Sequence, residues 1–303
     1  LRNRSRTLEH DNDYAKRYLG MVETHIIGDE PPRLVSTVEN TPGVADALAI
    51  AAIEAAWADW SRPGVCEVSG QYSLRTLCWN IVRGTARDGE YILRHLRGSN
   101  SGNKYGYALQ VIDVERLATR LYRDRSEGQN SIYNGIERDA YGRFVAAHFY
   151  VNHIGGPTER ILSGELMHKF IITRAGQARG IPWMHAAMLS MHYAGEFSIS
   201  ALVAAKHGAD HLGFFVSPDG EAPLLGDPDD ATGTQIMTSA PGTYDTIAAG
   251  YDFKQVDSKY PNEVFAPFVK SANQRMASGL EVSYPNLCND YEAVNFSSIR
   301  AAV

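Results

Sequence analysis

His207 and His211 stand four residues apart in a stretch whose apolar period is helical. That spacing turns both imidazoles to one side of a helix, where two ring nitrogens could reach one metal ion. A zinc site needs a third and a fourth ligand. The neighbourhood supplies no H-E-x-x-H, and Asp210 falls on another part of the turn. The pair reads as two polar residues on a helix surface, and no metal is expected. "DPDDATG", Asp227 to Gly233, looks at first like a calcium loop. Its glycine comes one place late, and Thr238 stands where a bidentate Glu is required, so it reads as a solvated loop.

No glycine-rich phosphate loop, dinucleotide fingerprint or G-x-S-x-G elbow occurs. Glu90, Asp113, Glu115, Glu137 and Asp139 would give a carboxylate pair for acid–base work only if the fold gathered them. Cys66, Cys78 and Cys288 are far apart, form no C-x-x-C and cannot all pair. They read as reduced, mostly buried thiols. These patterns argue against an enzyme and for no bound cofactor.

Such residues have to be carried by elements. Asp13 to Ile27 is helical by period, with Tyr14, Tyr18, Met21, Val22 and His25 on one side and Gly28 and Pro31-Pro32 closing it. Val44 to Trp60 reads as an alanine-rich helix whose apolar stripe is Leu48, Ala51, Ala55 and Trp57. Ser73 to Arg87 is a third helix, with Leu74, Leu77, Cys78 and Ile81 inward. The period then changes. Tyr91 to Leu96 and Tyr107 to Ile112 read as strands, Gly135 to Val151 as a hairpin turning at Asp139 to Gly142, and Leu166 to Thr173 as a further strand. Trp183 to His211 is the longest helix expected, and Glu263 to Ser278 the last full one. Between them, Ser217 to Asp252 is rich in Gly, Pro, Asp and Thr and has little periodicity. Ser297 to Val303 reads as two opening turns of a helix with nothing to stop it, so a longer subunit is expected at this end. The absent Met and the basic start, Leu1 to Arg6, suggest the same at the other. Helices and strands mix without regular alternation, which predicts an α+β fold.

The chain has 303 residues, 44% apolar and 21% charged, the balance of an ordinary folded chain. No apolar run approaches the ~18 residues of a membrane span, and no signal peptide is visible. The net charge of −6 argues against a sequence-reading DNA binder with a basic face. It leaves room for a surface that DNA slides past without sticking.

Several separated stretches resemble the lambda-type portal proteins of tailed bacteriophages. "LRNRSRTLEHDNDYAKRYLGMVETHIIG" is similar to the family's Arg-rich opening and Asn/Asp-Tyr-Ala helix. "AAWADW" with "CEVSGQYSL" resembles its Trp-rich helix and Cys-Asp-x-x-Gly turn, with Glu67 where Asp is usual. "RDGEYILR" resembles its Asp-Gly-Glu start of a strand, and "LQVIDVERL" and "GIERDAYGRFVAAHFY" its central strands. "GQARGIPWM", with Arg179, Gly180 and Trp183, is similar to Gly-Gln-x-Arg-Gly-x-Pro-Trp. "ASGLEVSYPNLCNDYEAVNFSSIRAA" resembles the block that ends in Asn-Tyr-Ser-Ser-x-Arg-Ala, with Ser297, Ser298 and Arg300 in place, Phe296 for Tyr, and Cys288 and Asn289 for a small-residue pair. The matches run in the family's order over nearly the whole chain.

The resemblance implies a ring, usually dodecameric, at one capsid vertex of a virion. Double-stranded DNA is packaged through it by terminase and later ejected into the tail. Implied partners are further copies of the chain, terminase, head–tail connector proteins, the major capsid protein and the passing DNA, with no membrane. Assembly would take place in the host cytoplasm. A structural head–tail adaptor without a packaging role is the alternative. The resemblance also implies an α+β wing over 1–180, a stem helix over 181–212, a clip over 213–256 and a second stem helix over 257–280. Residues 281–303 would be the tunnel loop and the start of a long wing helix, and crown helices would lie beyond.

Within that scheme Asn289, Asp290, Glu292 and Asn295 would face DNA, and Lys206 would stand near the bore. B-DNA carries roughly one charge per 1.7 Å of axis, so fixed cations on the wall would hold it back. The stretch has no Lys or Arg before Arg300, as sliding requires. The same residues also suit a plain solvated loop, and Lys206 suits an ion pair with a neighbouring subunit.

Overall fold

The computed structural model describes residues 1–30, 32–210, 265–292 and 294, together with the strand segments 213–216, 227–228, 235–236 and 252–255. The chain divides into two compact units, Leu1–His192 with Asn273–Val303, and Tyr193–Ala272.

The larger unit opens with helix α1, Arg2–Asp11, which the apolar period did not announce. The face it buries carries Ser5 and Glu9 rather than hydrophobic residues. Asn12 breaks it from α2, Asp13–Ile26, and caps α2 by accepting from the Ala15 N–H at 3.0 Å. Tyr18, Leu19, Met21 and Val22 of α2 are buried, as its period requires.

Next come β1, Glu39–Thr41, and β2, Val44–Ala45, a short hairpin, and then α3, Ala47–Trp60. The helix expected from Val44 therefore starts later. Val44 pairs with Thr41 around Gly43, and Asp46 caps the helix by accepting from the Ala49 N–H. Its expected inward stripe is not inward either. Leu48 is 86% exposed, and Ala51 and Ala55 are exposed with it. Only the last turn is anchored. The Trp60 indole donates to the Tyr107 carbonyl at 2.9 Å and stacks on the Tyr107 ring, with Trp57 beside it.

Helix α4, Leu74–Asp88, is capped by Ser73 and stopped by Gly89 at φ 89°. Strands β3, Glu90–Arg97, and β4, Tyr107–Ile112, follow, then β5, Ser131–Tyr133, β6, Ile136–Arg138, β7, Phe144–Tyr150, β8, Thr158–Leu162, and β9, Leu166–Phe170. They form two antiparallel sheets, ordered β4-β3-β9 and β5-β6-β7-β8. The strand expected to reach Thr173 stops at Phe170, and Ile171 and Ile172 are exposed.

The two sides of β3 face two different cores, because side chains alternate along a strand. Leu93 packs with Trp60, Cys66, Leu74 and Leu77 on the helical side. Ile92 packs with Ile112, Ile136, Phe149 and Ile161 against the four-stranded sheet. The β4-β3-β9 sheet thus separates helices α3 and α4 from the second sheet.

Trp183–Ala186 is a 3-10 turn, and the long helix expected from Trp183 begins properly as α5, Met188–Asp210. In the smaller unit β10, Gly213–Val216, pairs antiparallel with β13, Asp252–Gln255, and β11, Asp227–Pro228, with β12, Gln235–Ile236. Asp227 and Pro228 thus belong to a strand pair, and residues 229–233 of the calcium-like stretch lie outside the described residues. Helix α6, Phe265–Gly279, returns the chain, and Phe265 and Phe268 meet Phe197 with ring centroids 5.7 and 4.9 Å away. A last short helix, α7, Tyr284–Cys288, was not foreseen; it anchors Leu287, which is 2% exposed.

A Cβ on Gly180 would stand 1.9 Å from the Gly89 carbonyl oxygen, and a Cβ on Gly89 would stand 2.3 Å from the Ile181 carbonyl carbon. Backbone lies on backbone here, so neither neighbour can swing away. Gly84, within α4, has nothing within 4 Å of its Cβ position. Gly180→Ala should lower stability by at least the ~1–3 kcal/mol typical of overpacking. Gly84→Ala should raise it by about 0.4–1 kcal/mol by restricting the unfolded chain. Denaturant midpoints of the two variants check the contrast. A Gly180→Ala midpoint at or above that of the parent would contradict the close crossing.

Candidate functional site

The crossing of Gly89 over Gly180 delivers one carboxylate into the protein. Glu90 follows the left-handed turn at Gly89, and its side chain is wholly buried. Arg179 grips it: Nε reaches Oε1 at 2.7 Å and Oε2 at 2.9 Å, and Nη2 also donates to Oε1. The Gly180 N–H donates to Oε2 at 3.1 Å, and His168 Nε2 donates to the same oxygen at 2.8 Å. Arg2 of α1 adds a guanidinium 3.5 Å from Oε1. Burial alone would push the Glu90 carboxyl up. The hydrogen bonds from His168 and Arg179, with the Arg179 charge, outweigh it and hold the group at about 2.

One residue back, Asp88 joins a second cluster. Arg6 of α1 clasps it with two bonds of 2.7 and 2.8 Å, and reaches Asp113 at 2.8 Å and Glu115 at 3.0 Å. Glu9 takes Arg83 at 2.6 Å and Arg87 at 3.0 Å. The Ser5 hydroxyl donates to the Arg87 carbonyl at 2.6 Å. Arg2, Arg6 and Glu9 of α1 thus meet opposite charges on α4 or next to it, and Ser5 meets a backbone carbonyl of α4. This explains why apolar periodicity missed the helix; the alternation of Arg2, Ser5, Arg6 and Glu9 at helical spacing was the signal available.

Of the acidic residues weighed for acid–base chemistry, Asp113 and Glu115 share the Arg6 guanidinium, and Glu90, Glu137 and Asp139 are each held by other partners. Glu90 binds Arg179, and Asp113 and Glu115 bind Arg6. Glu137 binds Arg160, whose hydrogen bond, helped by Asn130 and His148, holds it at about 2. Asp139 accepts from the Tyr141 and Arg143 N–H groups and shapes the hairpin turn. Each carboxylate here is a structural anion. The three cysteines are free thiols, and burial pushes Cys66, Cys78 and Cys288 up. Among the described residues no group of three His, Cys, Asp or Glu side chains could hold a metal, and no helix is long and apolar enough to cross a membrane. His207 falls on α5, and His211 lies outside the described residues.

Of the channel candidates, Asn289 ends α7 in the left-handed conformation, φ 54°, and is exposed. Asp290 accepts from the Tyr284 hydroxyl at 2.6 Å and from the Glu292 N–H at 3.3 Å. The hydrogen bond to Asp290 raises the Tyr284 hydroxyl well above its usual value. Glu292 is exposed. These residues therefore form a tied turn behind α7, whose Asn286 carbonyl accepts from Arg17 at 3.2 Å. Lys206 is exposed on α5, and Asn295, Ser297, Ser298 and Arg300 lie outside the described residues. Trp183, beside Arg179 and Gly180 in sequence, lines an open cavity of about 840 Å³ together with Tyr18, His25, Ile181, Glu281 and Asn286. Its indole N–H is buried and meets no acceptor among the described residues.

Residues 1–303 match the family described as "Phage portal protein, lambda family". The chain is 34% identical over 316 aligned positions to the "Probable portal protein" of Halomonas phage phiHAP-1, covering 99% of this chain and 60% of that protein. It therefore spans about 60% of the length of this relative. Among solved structures, a chain of the "Virion of native gene transfer agent (GTA) particle" superposes with a TM-score of 0.59 at 14% identity, over 99% of this chain and 73% of that one. A chain of the "Neck of native GTA particle computed with C12 symmetry" gives 0.56 at 14% identity, over 98% and 74%. These likenesses establish a shared α+β fold.

Arg179→Met leaves the buried Glu90 charge without its main partner and should cost ~3–5 kcal/mol. The sign of the acid response follows from Glu90. A carboxyl lowered from about 4.5 to about 2 on folding contributes stability that is complete above 4.5 and is lost as the pH falls towards 2. In Arg179→Met burial raises the folded-state carboxyl towards or above its unfolded value, so this acid-dependent loss should shrink and the variant's deficit relative to the parent should narrow as the pH falls. Urea titrations between pH 7 and pH 3 check both; an unchanged pH profile would show that Arg179 does not hold the carboxylate ionised.

Proposed function

The chain belongs to the lambda family of phage portal proteins, and we propose that it is the packed body of a ring-forming portal subunit, the conduit for double-stranded DNA at one capsid vertex of a virion. The observation behind this reading is the family match along residues 1–303, supported by the fold shared with particle and neck chains. In this reading the chain does no catalysis. It is packed into a ring with copies of itself, receives DNA from terminase, contacts the major capsid protein and hands DNA on to head–tail connector proteins. It assembles in the host cytoplasm and ends in the virion.

The parts take these roles: 1–180 the wing, 181–212 a stem helix, 213–256 the clip, 257–280 the second stem helix, and 281–303 the tunnel loop and the start of a long wing helix. The 23-residue α5 and the 15-residue α6 supply the two rods that a stem needs. Asn289, Asp290, Glu292 and Asn295 would line the narrow part of the bore, and Lys206 would stand on the stem. The hydrogen bonds of Asp290 make the turn stiff, so its anionic surface is presented in a fixed place. Such a wall repels phosphate and lets DNA move. Arg179 and Gly180 act at a distance from DNA, by fixing the wing through Glu90.

Negative-stain images of the full-length subunit should show closed rings with a central hole wide enough for B-DNA; a monomer at every concentration would overturn the reading. Glu292→Lys tests the bore. Glu292 is exposed and gives only its backbone N–H to Asp290, so rings should form normally. DNA packaging should slow, more so at low salt, where screening extends from ~10 Å at 0.1 M to ~30 Å at 0.01 M. Packaging at the parent rate at every ionic strength would remove this turn from the bore.

A further inference from the structure

Helix α3 exposes an apolar surface that no described residue of the chain covers. Leu48 is 86% exposed, and Ala51 and Ala55, at helical spacing from it, continue the face; Val44 and Val35, ahead of the helix, are 58% and 67% exposed. Apolar residues scattered singly on a surface need no explanation, but a contiguous face does. Its surroundings are acidic. Residues 29–54 contain Asp29, Glu30, Glu39, Asp46 and Glu54 against Arg33 alone, five negative charges and one positive, a net −4, while Asp59 beyond them is already paired with Arg62 and Lys104.

Across the central sheet lies a surface of the opposite kind. Residues 116–125 carry Arg116, Arg120, Arg123 and Arg125 against Asp124, a net +3. Arg120 and Arg123 are exposed and form no ion pair with any described residue. Tyr122 and Tyr133, 56% and 58% exposed, meet edge to face with centroids 5.2 Å apart. Exposed arginine and tyrosine together are the composition enriched in protein–protein contacts. The two surfaces belong to layers on opposite sides of the β4-β3-β9 sheet, the one behind Leu93 and the other behind Ile92.

We propose that the α3 face of one subunit docks on the arginine–tyrosine surface of the next. The inference rests on the ring reading above and names the two surfaces in contact. A ring built by rotation needs two different, mutually complementary patches on well-separated sides of each subunit. Here one patch is apolar with an acidic surround, and the other is aromatic and basic. The tyrosine rings cover the Leu48 face, while the arginines meet the acidic surround. Each charge pair contributes modestly at a solvated rim, but the charges fix orientation and exclude like-on-like pairing.

The test uses two full-length variants, each defective on one side. Leu48→Arg spoils the α3 face and touches nothing inside the subunit; Ala55→Arg on the same face serves as a second version. Arg120→Ala combined with Tyr122→Ala and Arg123→Ala spoils the other face. Each should keep the parent's melting temperature within a few degrees and lose the ring, sedimenting as a monomer. Mixed in equal amounts, the two variants each bring one intact face, so they should give heterodimers and nothing larger. Rings persisting in either variant would overturn the proposal and leave the ring reading standing. Monomers that form no heterodimer when mixed would also overturn it, because the two faces would then belong to different contacts. A parent protein that forms no ring would bring down the ring reading and this inference together.

Discussion

One buried negative charge organises the larger unit. Glu90 has no access to water, and an ionised carboxylate in such a place is tolerable only with cationic and hydrogen-bonding partners around it. Those partners come from different parts of the chain: His168 from β9, Arg179 and the Gly180 N–H from the segment after it, and Arg2 from α1. Satisfying Glu90 therefore brings the start of the chain, the central sheet and the approach to α5 to one point. The glycine pair is part of the same requirement, since only bare backbone lets 89–90 and 180–181 approach closely enough.

The charges next to it extend this arrangement. Asp88, Glu9, Arg6, Arg83 and Arg87 bind α1 to α4 by ion pairs where an apolar seam would be expected. A polar interface of this kind adds little net stability compared with a greasy one, yet it is selective about alignment, because a slipped helix leaves charges buried and unpaired. In the ring proposed above, a fixed internal geometry would be worth more than extra stability.

Much of the α+β architecture could be read in the sequence, wherever burial is one-sided and apolar. Tyr18, Met21 and Val22 marked α2, Leu74 and Leu77 marked α4, and the Asp139 to Gly142 turn marked the β6–β7 hairpin. The reading failed where the physics was different. Helix α1 buries Ser5 and Glu9, so its period is written in charge. Helix α3 has an apolar stripe, but the chain leaves Leu48 outside, so the pattern gave the face without its location. The crossing was visible only in halves. The Asp-Gly-Glu and Arg-Gly segments stood out separately through their likeness to portal sequences, but Glu90 and Arg179 are 89 positions apart, and no local rule joins them. The acidic turn at Asp290 was read as a tunnel loop, or else a plain solvated one, without the helix ahead of it, because a short helix such as Tyr284–Cys288 has too few residues to show a period.

The route of the chain has a further consequence, for synthesis. The smaller unit is an insertion: the larger one begins before it and is completed only by residues 273 onward. Asn273 donates to the Tyr14 hydroxyl at 3.0 Å and Arg17 to the Asn286 carbonyl at 3.2 Å, contacts spanning 259 and 269 positions. As the ribosome extends the chain, α2 can pack on α4 early but has to wait for its partners at Asn273 and on α7, made more than 250 residues later. Closures of such long range are slow and leave the unfinished chain prone to aggregation. The same delay acts as a checkpoint, because a truncated translation product lacks the segments that complete the fold and is left open to proteolysis.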